Sequence, residues 1–405
     1  MSHKGFAQIG KNLLVALCSC ALAFFVIDSV LRLTIRQRLY YREQEMFENR
    51  MPEYPSLLLR YDKLIDYKGS TFGDLAATSG NLQDKEPREI RFKTDSKGYR
   101  NEPDQHKKEN EIIVIGDSFG AGIGTDQDST CVGFLSRHNI VYNMSFPGNP
   151  LLELANLVLD YDQVKHTEKP LVLWLLFTGN DLPNSIPEHQ YKYVDILEQN
   201  QLKDARANTV LIVLSKFKNY LRRSPVWLLL LHARSEKNAN VVLKPFEGGK
   251  KMYFYQNYVY ASQLSGEDIA NQQGFDALKR TFLVAKKYSE TKKFDLKVVL
   301  IPTKYEIYKW IYEGDTPWKE RTKPSGFSLS LASIFNELEV DFFDSKDFLF
   351  DYAEMVYKNE KKLLWWRDDT HLNVEGHKAL SAFLQNIIHT PPVAGADSLL
   401  QQSHP

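Results

Sequence analysis

Residues 112–122 read IIVIGDSFGAG, and this stretch indicates the fold class. Its first four residues, Ile112–Ile115, have the length and β-branched character of a buried strand. The glycines that follow allow a tight turn into a helix, with Ser118 at the turn. The stretch therefore predicts a parallel α/β sheet in which a serine follows the first strand.

The same alternation of short apolar runs and helical spacing continues toward the C-terminus. Further strands are predicted at Ile140–Met144, Leu171–Phe177, Leu296–Ile301 and Val340–Phe343, and helices at Leu151–Val164 and Phe275–Tyr288. Five such strands predict a flavodoxin-like three-layer α/β/α sandwich over residues 109–392. Residues 183–266 break the rhythm and are predicted to form an insertion. Within it, Val226–Leu231 is too short to cross a membrane and is interpreted as a buried cap helix.

The N-terminal segment carries the main signal about location. Residues 13–33 are almost entirely apolar, and about twenty helical residues extend roughly 30 Å, the thickness of a bilayer core. We predict one transmembrane helix there, after an N-terminal cytoplasmic stub of residues 1–12. Ala21-Leu22-Ala23 resembles a signal-peptide cleavage site, so a cleaved leader is the alternative, although the apolar run continues past it.

The charges that flank the span leave its orientation open. Lys4 and Lys11 precede the apolar run. Four arginines come at its C-terminal end or after it: Arg32, Arg36, Arg38 and Arg42. The positive-inside rule alone favours a cytoplasmic domain, but long domains translocate largely regardless of flanking charge. Residues 34–108 are polar and tyrosine-rich, and we predict a membrane-proximal stalk with accessory strands there. Residues 393–405 are predicted to be a polar tail.

Composition excludes several function classes. With 43% hydrophobic and 25% charged residues, the 405-residue chain is not mainly disordered. Its 51 basic residues balance 51 acidic ones, so no net positive charge favours nucleic acid, and no nucleic-acid binding is predicted. Cys18 and Cys20 lie in the apolar N-terminal run, which leaves Cys131 alone in the folded part. Neither a disulfide nor a zinc cluster is therefore predicted.

Polar residues follow the predicted strands at the sheet edge where parallel sheets carry their chemistry. Ser118, after the first strand, has the position of a nucleophile, or else of a simple helix cap. Gly148 and Asn180 follow the second and third strands. Each could donate a hydrogen bond to a reacting oxygen, or only form a turn.

Near the C-terminus, the sequence Arg367-Asp368-Asp369-Thr370-His371 precedes a predicted helix. An acid two or three residues before a histidine can orient the imidazole and stabilise its charged form. The alternative is acidic helix capping beside a surface histidine.

Together, these four motifs resemble the sequence blocks of the SGNH (GDSL) hydrolases, which carry Ser, Gly, Asn and His in this order. The matching residues are Ser118, Gly148, Asn180 and His371, over residues 109–390 without the insertion. Phe119 stands where the name-giving motif has leucine. The third block reads Gly-Asn-Asp instead of Gly-x-Asn-Asp, a departure that concerns the pose of Asn180.

The resemblance implies the SGNH hydrolase fold and acyl transfer through a covalent serine ester. His371 would take the proton of Ser118, while the backbone N–H groups of Ser118 and Gly148 and the Asn180 amide would bind the oxyanion. No metal or organic cofactor is required. The resemblance also favours a periplasmic or extracellular catalytic domain on a single-pass anchor. Residues 301–306 look similar to proteins that modify cell-surface polysaccharides, so the expected substrate is an O-acyl ester, in particular an O-acetyl ester, of a glycan.

Two aspartates compete for the role of the acid that serves His371. The common SGNH block, Asp-x-x-His, selects Asp368, whereas the Asp-x-His of polysaccharide acetyltransferases selects Asp369. We expect Asp369 to be the partner. The other carboxylate is expected to face solvent, pair with Arg367 or cap the following helix.

Two other functions remain open at this point. One is a lipid or small-ester hydrolase with the same triad, and the other is a non-catalytic surface protein on an SGNH scaffold. The acyl group, the acceptor, the choice between hydrolysis and transfer, and any protein partner are not specified by the sequence.

Overall fold

The computed structural model of the chain describes residues 3–34, 42–54, 58–80, 82–181, 188–199, 201–202, 204, 206–234, 240–272 and 274–390. The predicted polar tail, 393–405, lies outside these residues, as do parts of the 34–108 and 183–266 segments.

The helices of the described residues are α1 (His3–Thr34), α2 (Asp74–Ser79), α3 (Ser118–Ala121), α4 (Cys131–Leu135), α5 (Pro150–Asp160), α6 (Glu188–Glu198), α7 (Thr209–Arg222), α8 (Pro225–Arg234), α9 (Gln256–Gln263), α10 (Gly266–Ala270), α11 (Phe275–Lys292), α12 (Lys304–Glu313), α13 (Gly326–Glu337), α14 (Lys346–Glu360) and α15 (Val374–Ile388). The strands are β1 (Glu48–Arg50), β2 (Leu59–Tyr61), β3 (Asp66–Thr71), β4 (Arg88–Lys93), β5 (Asn110–Gly116), β6 (Val141–Asn143), β7 (His166–Phe177), β8 (Val241–Pro245), β9 (Lys251–Tyr255), β10 (Asp295–Ile301) and β11 (Asp341–Asp344).

A five-stranded parallel sheet forms the centre of the protein, in the order β11-β10-β7-β5-β6. Each of its strands overlaps one of the five predicted from the sequence, and all neighbouring strands pair in parallel. Numbered along the chain, the order is 2-1-3-4-5, the doubly wound order of flavodoxin-like sheets. The predicted α/β class with five parallel strands is therefore confirmed.

Helices cover both faces of this sheet, because alternate residues of each strand point to opposite sides. On one face, Ile113 and Trp174 pack with residues of α5, α11 and α13. On the other face, Val114 and Leu175 pack with residues of α4, α12, α14 and α15. The two buried cores give the protein three layers, with the sheet in the middle.

The 34–108 segment packs against the sheet domain through two antiparallel strand pairs, β1–β2 and β3–β4. Arg60 of β2 forms a buried ion pair with Asp160 of α5 at 2.9 Å. The Tyr99 hydroxyl donates to the same carboxylate at 2.9 Å. The accessory strands predicted for this segment are present and join the sheet domain.

The apolar run predicted to span a membrane lies within α1. By length and composition, the part from Lys11 to Thr34 could cross a bilayer, and it is the one such helix in the described part of the chain. Apolar side chains from Leu13 to Leu33 project outward along it and are largely exposed.

In the insertion, one prediction is wrong. The run Val226–Leu231 belongs to α8 and is not a buried cap helix, because Trp227, Leu229 and Leu230 are exposed. The reason is that α8 packs along α1, and no residue in the described part of the chain covers its other side.

Candidate active site

Ser118 lies just beyond the carboxyl end of β5, where it begins α3. Gly116 has φ 157°, and a Cβ atom there would lie 2.7 Å from the carbonyl oxygen of Leu175, so this turn has no room for a side chain. Asp117 is the residue that caps α3, since its carboxylate accepts from the Phe119 N–H at 2.8 Å. The Ser118 hydroxyl is therefore not used as the helix cap.

His371 lies on a short loop that leads into α15. Trp365 and Leu372 pair across the base of this loop, and the Trp366 N–H donates to the His371 carbonyl at 3.2 Å. Asn373 then caps α15 by accepting from the Gly376 N–H at 3.0 Å. These contacts fix the loop so that the imidazole, only 5% exposed, points back toward the strand ends.

The side chains of Ser118, His371 and Asp369 form one hydrogen-bonded series. His371 Nε2 lies 2.8 Å from the Ser118 hydroxyl oxygen. His371 Nδ1 lies 2.7 Å from a carboxylate oxygen of Asp369. An N–H at Nδ1 that donates to Asp369 leaves Nε2 free to accept the serine proton, which is what a general base requires.

Asp368 lies in a different environment from the one expected for the second carboxylate. It is fully buried, pairs with Arg88 at 2.9 Å, and accepts from the N–H groups of Gly73 at 2.8 Å and Glu86 at 2.7 Å. Asp368 does not face solvent, does not pair with Arg367 and does not cap α15, so the expectation for this second carboxylate is wrong. The 34–108 segment covers this side of the loop and supplies the donors, and Arg367 pairs with Glu86 instead.

Two arginines of the 34–108 segment neutralise Asp369, and reasoning from the sequence missed both. Arg42 Nη2 lies 2.7 Å from Asp369 Oδ1, and Arg88 Nη2 lies 2.7 Å from Asp369 Oδ2. Burial opposes ionisation of Asp369, but the charges of Arg42, His371 and Arg88 hold its pKa well below the usual range. No sequence spacing links positions 42 and 88 to 369, because only tertiary packing brings them together.

Arg42 also affects the protonation of His371. Burial lowers the pKa of His371, and the charge of Arg42 lowers it further, against the opposing effect of Asp369. Arg42 Nη2 lies 2.8 Å from His371 Nδ1. Because a guanidinium can only donate, we interpret this approach as charge proximity and assign the Nδ1 hydrogen bond to Asp369. The site thus favours the neutral imidazole, the form that can accept a proton.

Asp74, Asp369 and His371 offer ligand atoms within 4.8 Å of one another, a cluster of the kind that can hold a metal ion. The guanidinium of Arg42 lies among them, 2.7 Å from Asp74 as well as from Asp369. A charge-assisted contact to both carboxylates is the role that a bound cation would have there. The residues therefore fit an arginine-bridged acid better than a metal centre.

The two other residues predicted to bind an oxyanion lie at the same edge of the sheet. The Asn180 side chain hydrogen-bonds the carboxylate of Asp117, the residue before Ser118. The side-chain amide oxygen of Asn180 is buried and has no hydrogen-bond partner among the described residues. Gly148 lies in the turn between β6 and α5, where a Cβ atom would come within 2.9 Å of Leu152.

Three buried carboxyl groups lie behind Ser118, and reasoning from the sequence gave them no role. Burial raises the pKa of Asp117 to about 6. Burial and the nearby charge of Asp117 raise the pKa of Asp181 well above the usual range. Burial and the nearby charges of Asp181 and Asp117 do the same for the pKa of Glu153. The Asp181 carboxylate accepts from the Phe177 N–H at 2.6 Å, and Glu153 accepts from the indole of Trp174. The raised pKa values of Asp181 and Glu153 favour their protonated forms, so these two groups add little negative charge near the nucleophile.

Lys304 supports the His371 loop from the side of the sheet. It begins α12, just after β10, and its ammonium group donates to the carbonyl oxygens of Trp366 at 2.7 Å, Tyr253 at 3.1 Å and Asp369. Burial lowers the pKa of Lys304 to about 8. Lys304, which lies within residues 301–306, thus stabilises the loop that carries His371.

Comparison with known proteins adds little to this geometry. No family model matches the sequence, and no curated protein matches it either. Among the solved structures that match, one is 11% identical to this chain, with a TM-score of 0.29, and the match covers 70% of this chain and 100% of that chain. A likeness of this size carries no argument about fold or function.

Proposed function

We propose that this chain is a membrane-anchored serine esterase or O-acyltransferase of the SGNH type. The observation that carries the proposal is the series of contacts from Ser118 to His371 to Asp369, at 2.8 and 2.7 Å. The order of the Ser, Gly, Asn and His motifs along the chain also supports it. The proposed substrates are O-acyl esters, in particular O-acetyl esters, of cell-surface carbohydrate. The proposed location of the catalytic domain is periplasmic or extracellular.

In the proposed reaction, the Ser118 oxygen attacks the ester carbonyl carbon while His371 Nε2 takes the hydroxyl proton. The imidazolium then gives that proton to the departing alkoxide as the carbon–oxygen bond of the substrate breaks, which leaves an acyl ester on Ser118. Water or a sugar hydroxyl attacks this ester in turn and loses its proton to His371. The free acid or the new ester departs, and the proton returns to Ser118.

Charge in the site suits these steps. Asp369 carries a lowered pKa and stays ionised, so it stabilises the imidazolium that forms when Ser118 loses its proton. The backbone N–H groups of Ser118 and Gly148 and the amide of Asn180 are the proposed donors to the oxyanion. None of these steps calls for a cofactor.

The test uses full-length protein treated with a fluorophosphonate probe, followed by mass spectrometry of the labelled peptide. We expect the label on Ser118, and we expect Ser118→Ala to lower turnover of an acetyl ester by at least about 10³-fold. The matched control is Ser145→Ala, because Ser145 is buried and no described residue forms a hydrogen bond with its hydroxyl oxygen. It should keep both the label and the activity. An active Ser118→Ala protein would show that the assignment is wrong.

A panel of substrates separates the proposed function from the lipid-hydrolase alternative. Acetylated oligosaccharides should be turned over faster than long-chain acyl esters, with or without an added sugar acceptor. A preference for long-chain esters would favour the lipid hydrolase, although Ser118 would keep its role.

A further inference from the structure

Helices α7 and α8 direct many of their apolar side chains toward the surface and not toward a protein core. Five apolar residues of α7 are exposed, at 49 to 67% exposure, alongside the exposed polar residues Thr209, Lys216 and Lys218. The five are Val210, Leu211, Val213, Leu214 and Phe217. The buried positions of the same helix are Ser215 and Asn219. A helix at the surface of a soluble protein shows the opposite arrangement.

The polar side of α7 is the side that holds it to the protein. The Asn219 amide donates to the carbonyl oxygen of Arg50 in β1 at 2.8 Å. At the end of the helix, Arg222 and Arg223 donate to the carbonyl oxygens of Glu48 and Met46. The outward direction of the apolar side is therefore set by specific contacts on the opposite side.

The second helix also exposes apolar side chains. Trp227, Leu229 and Leu230 of α8 are exposed, and α8 contacts α7. Clusters of exposed apolar side chains on a protein surface mark a site of interaction. We call the exposed apolar side chains of α7 and α8 together the hairpin face.

The hairpin face adjoins α1, the helix that is apolar enough to cross a membrane. Asp28 of α1 accepts from the hydroxyl groups of Tyr220 at 3.0 Å and Ser224 at 2.5 Å. Arg32 donates to the carbonyl oxygen of Tyr220 at 3.0 Å, and its guanidinium covers the Tyr220 ring at 4.3 Å. These contacts are near the C-terminal end of α1, so the hairpin lies beside the end of the helix that leads into the catalytic domain.

The lengths of the two helices decide how they meet a bilayer. With 14 and 10 residues, α7 and α8 extend about 21 and 15 Å, too short to cross a core of roughly 30 Å. Trp227 is a residue type enriched at the membrane interface, and the exposed Lys216 and Lys218 of α7 can contact lipid phosphates.

From this arrangement we infer that α7 and α8 form a second membrane contact, with the hairpin face inserted among the lipids around the C-terminal end of α1. The bilayer is the proposed occupant because α8 packs along α1, whose own apolar side chains are also exposed. The inference rests on the proposed membrane span of α1 and does not depend on the proposed activity.

The test measures the surroundings of single positions in the full-length protein, held in lipid nanodiscs that expose both membrane sides. Spin labels are attached to Leu214→Cys in α7 and Leu230→Cys in α8, each in a Cys18→Ala/Cys20→Ala background. The remaining cysteine, Cys131, is buried. Leu329→Cys in α13 is the matched control, because Leu329 and Leu214 are both 56% exposed leucines and Leu329 lies on a helix of the sheet domain.

We expect collisions with a water-soluble nickel chelate to be at least about tenfold rarer at positions 214 and 230 than at 329, and collisions with oxygen to be more frequent, as for side chains in lipid. Equal access of the nickel chelate to all three positions would overturn the inference, and the hairpin face would then be a surface for a protein. Leu211→Cys gives a second reading on α7 if the Leu214 variant fails to fold.

Discussion

At the scale of single residues, neighbouring aspartates have separate tasks. Asp369 contacts the imidazole, whereas Asp368 links the loop to Arg88 and to two backbone N–H groups of the 34–108 segment. Successive side chains of an extended backbone point in opposite directions, so Asp368 and Asp369 reach different partners. Asp369, which contacts the imidazole, and Asp368, which holds the loop to the 34–108 segment, are therefore adjacent in the sequence but have different roles.

This division predicts different outcomes for the same substitution at the two positions. Asp369→Asn should lower kcat by about 10³- to 10⁴-fold, because an amide no longer secures the imidazole tautomer that leaves Nε2 free. Asp368→Asn should keep most of the activity but lower the free energy of unfolding by about 1–3 kcal/mol, because Arg88 loses a buried charged partner. Steady-state kinetics and urea unfolding measure the two effects. Equal losses of kcat in two folded variants would contradict the division.

A second prediction concerns pH. Because His371 must be neutral to act as a base and its pKa is lowered, activity should persist below the ordinary histidine pKa of about 6.5. Arg42→Gln removes a positive charge beside Nδ1, so the pKa of His371 should rise and the acid limb of kcat/KM should move to higher pH. Arg42→Lys keeps the charge and should move the limb less. A limb at the same pH in all three proteins would mean that Arg42 only holds the loop in place.

The residues of the site differ in how far the sequence could reveal them. Ser118 and His371 stand in short motifs next to a strand and a helix, so local pattern is enough to single them out. Arg42, Asp74 and Arg88 have no such context, since each reaches the site from a segment hundreds of residues away. Their roles depend on the packing of the 34–108 segment, which no local pattern describes.

At the scale of elements, the five strands could be predicted because a parallel sheet covered on both faces needs nearly continuous apolar runs. The side on which α8 lies could not be predicted. The run Val226–Leu231 is equally apolar whether it faces protein or lipid, and its periodicity is the same in both cases. The contacts of Tyr220 and Ser224 with Asp28 hold the start of α8 beside α1, and they are contacts between distant parts of the chain.

The junction between the His371 loop and α15 gives a prediction at the same scale. Asn373 both caps the helix and donates from its amide to the Leu363 carbonyl at 2.6 Å. Asn373→Ala should lower the free energy of unfolding by about 1–2 kcal/mol, the usual effect of losing a cap. Asn373→Ser keeps a capping oxygen and should lower it less, as measured by thermal unfolding. A serine variant as unstable as the alanine variant would assign the stabilisation to the amide contact instead.

At the scale of the whole molecule, the proposed membrane span predicts where the chain is found. Full-length protein should sediment with membranes and resist carbonate extraction, because an exposed apolar helix of this length favours a bilayer core over water. A reporter fused after Pro405 should be active outside the cytoplasm. Reporter activity in the cytoplasm would mean that the arginines after α1 set the orientation, as the positive-inside rule predicts.

The position of Arg42 also limits how far the site can be from the membrane. Arg42 contacts Asp369 and stands eight positions after Thr34, the last residue of α1, and eight residues of chain span at most about 29 Å. With α1 in a bilayer, the site is therefore confined to a shallow layer above the lipid headgroups. An ester held on the same surface would meet the site by lateral diffusion, so the proposed turnover would depend on the number of ester molecules per unit area of membrane. An ester free in solution enters that layer only in proportion to its bulk concentration.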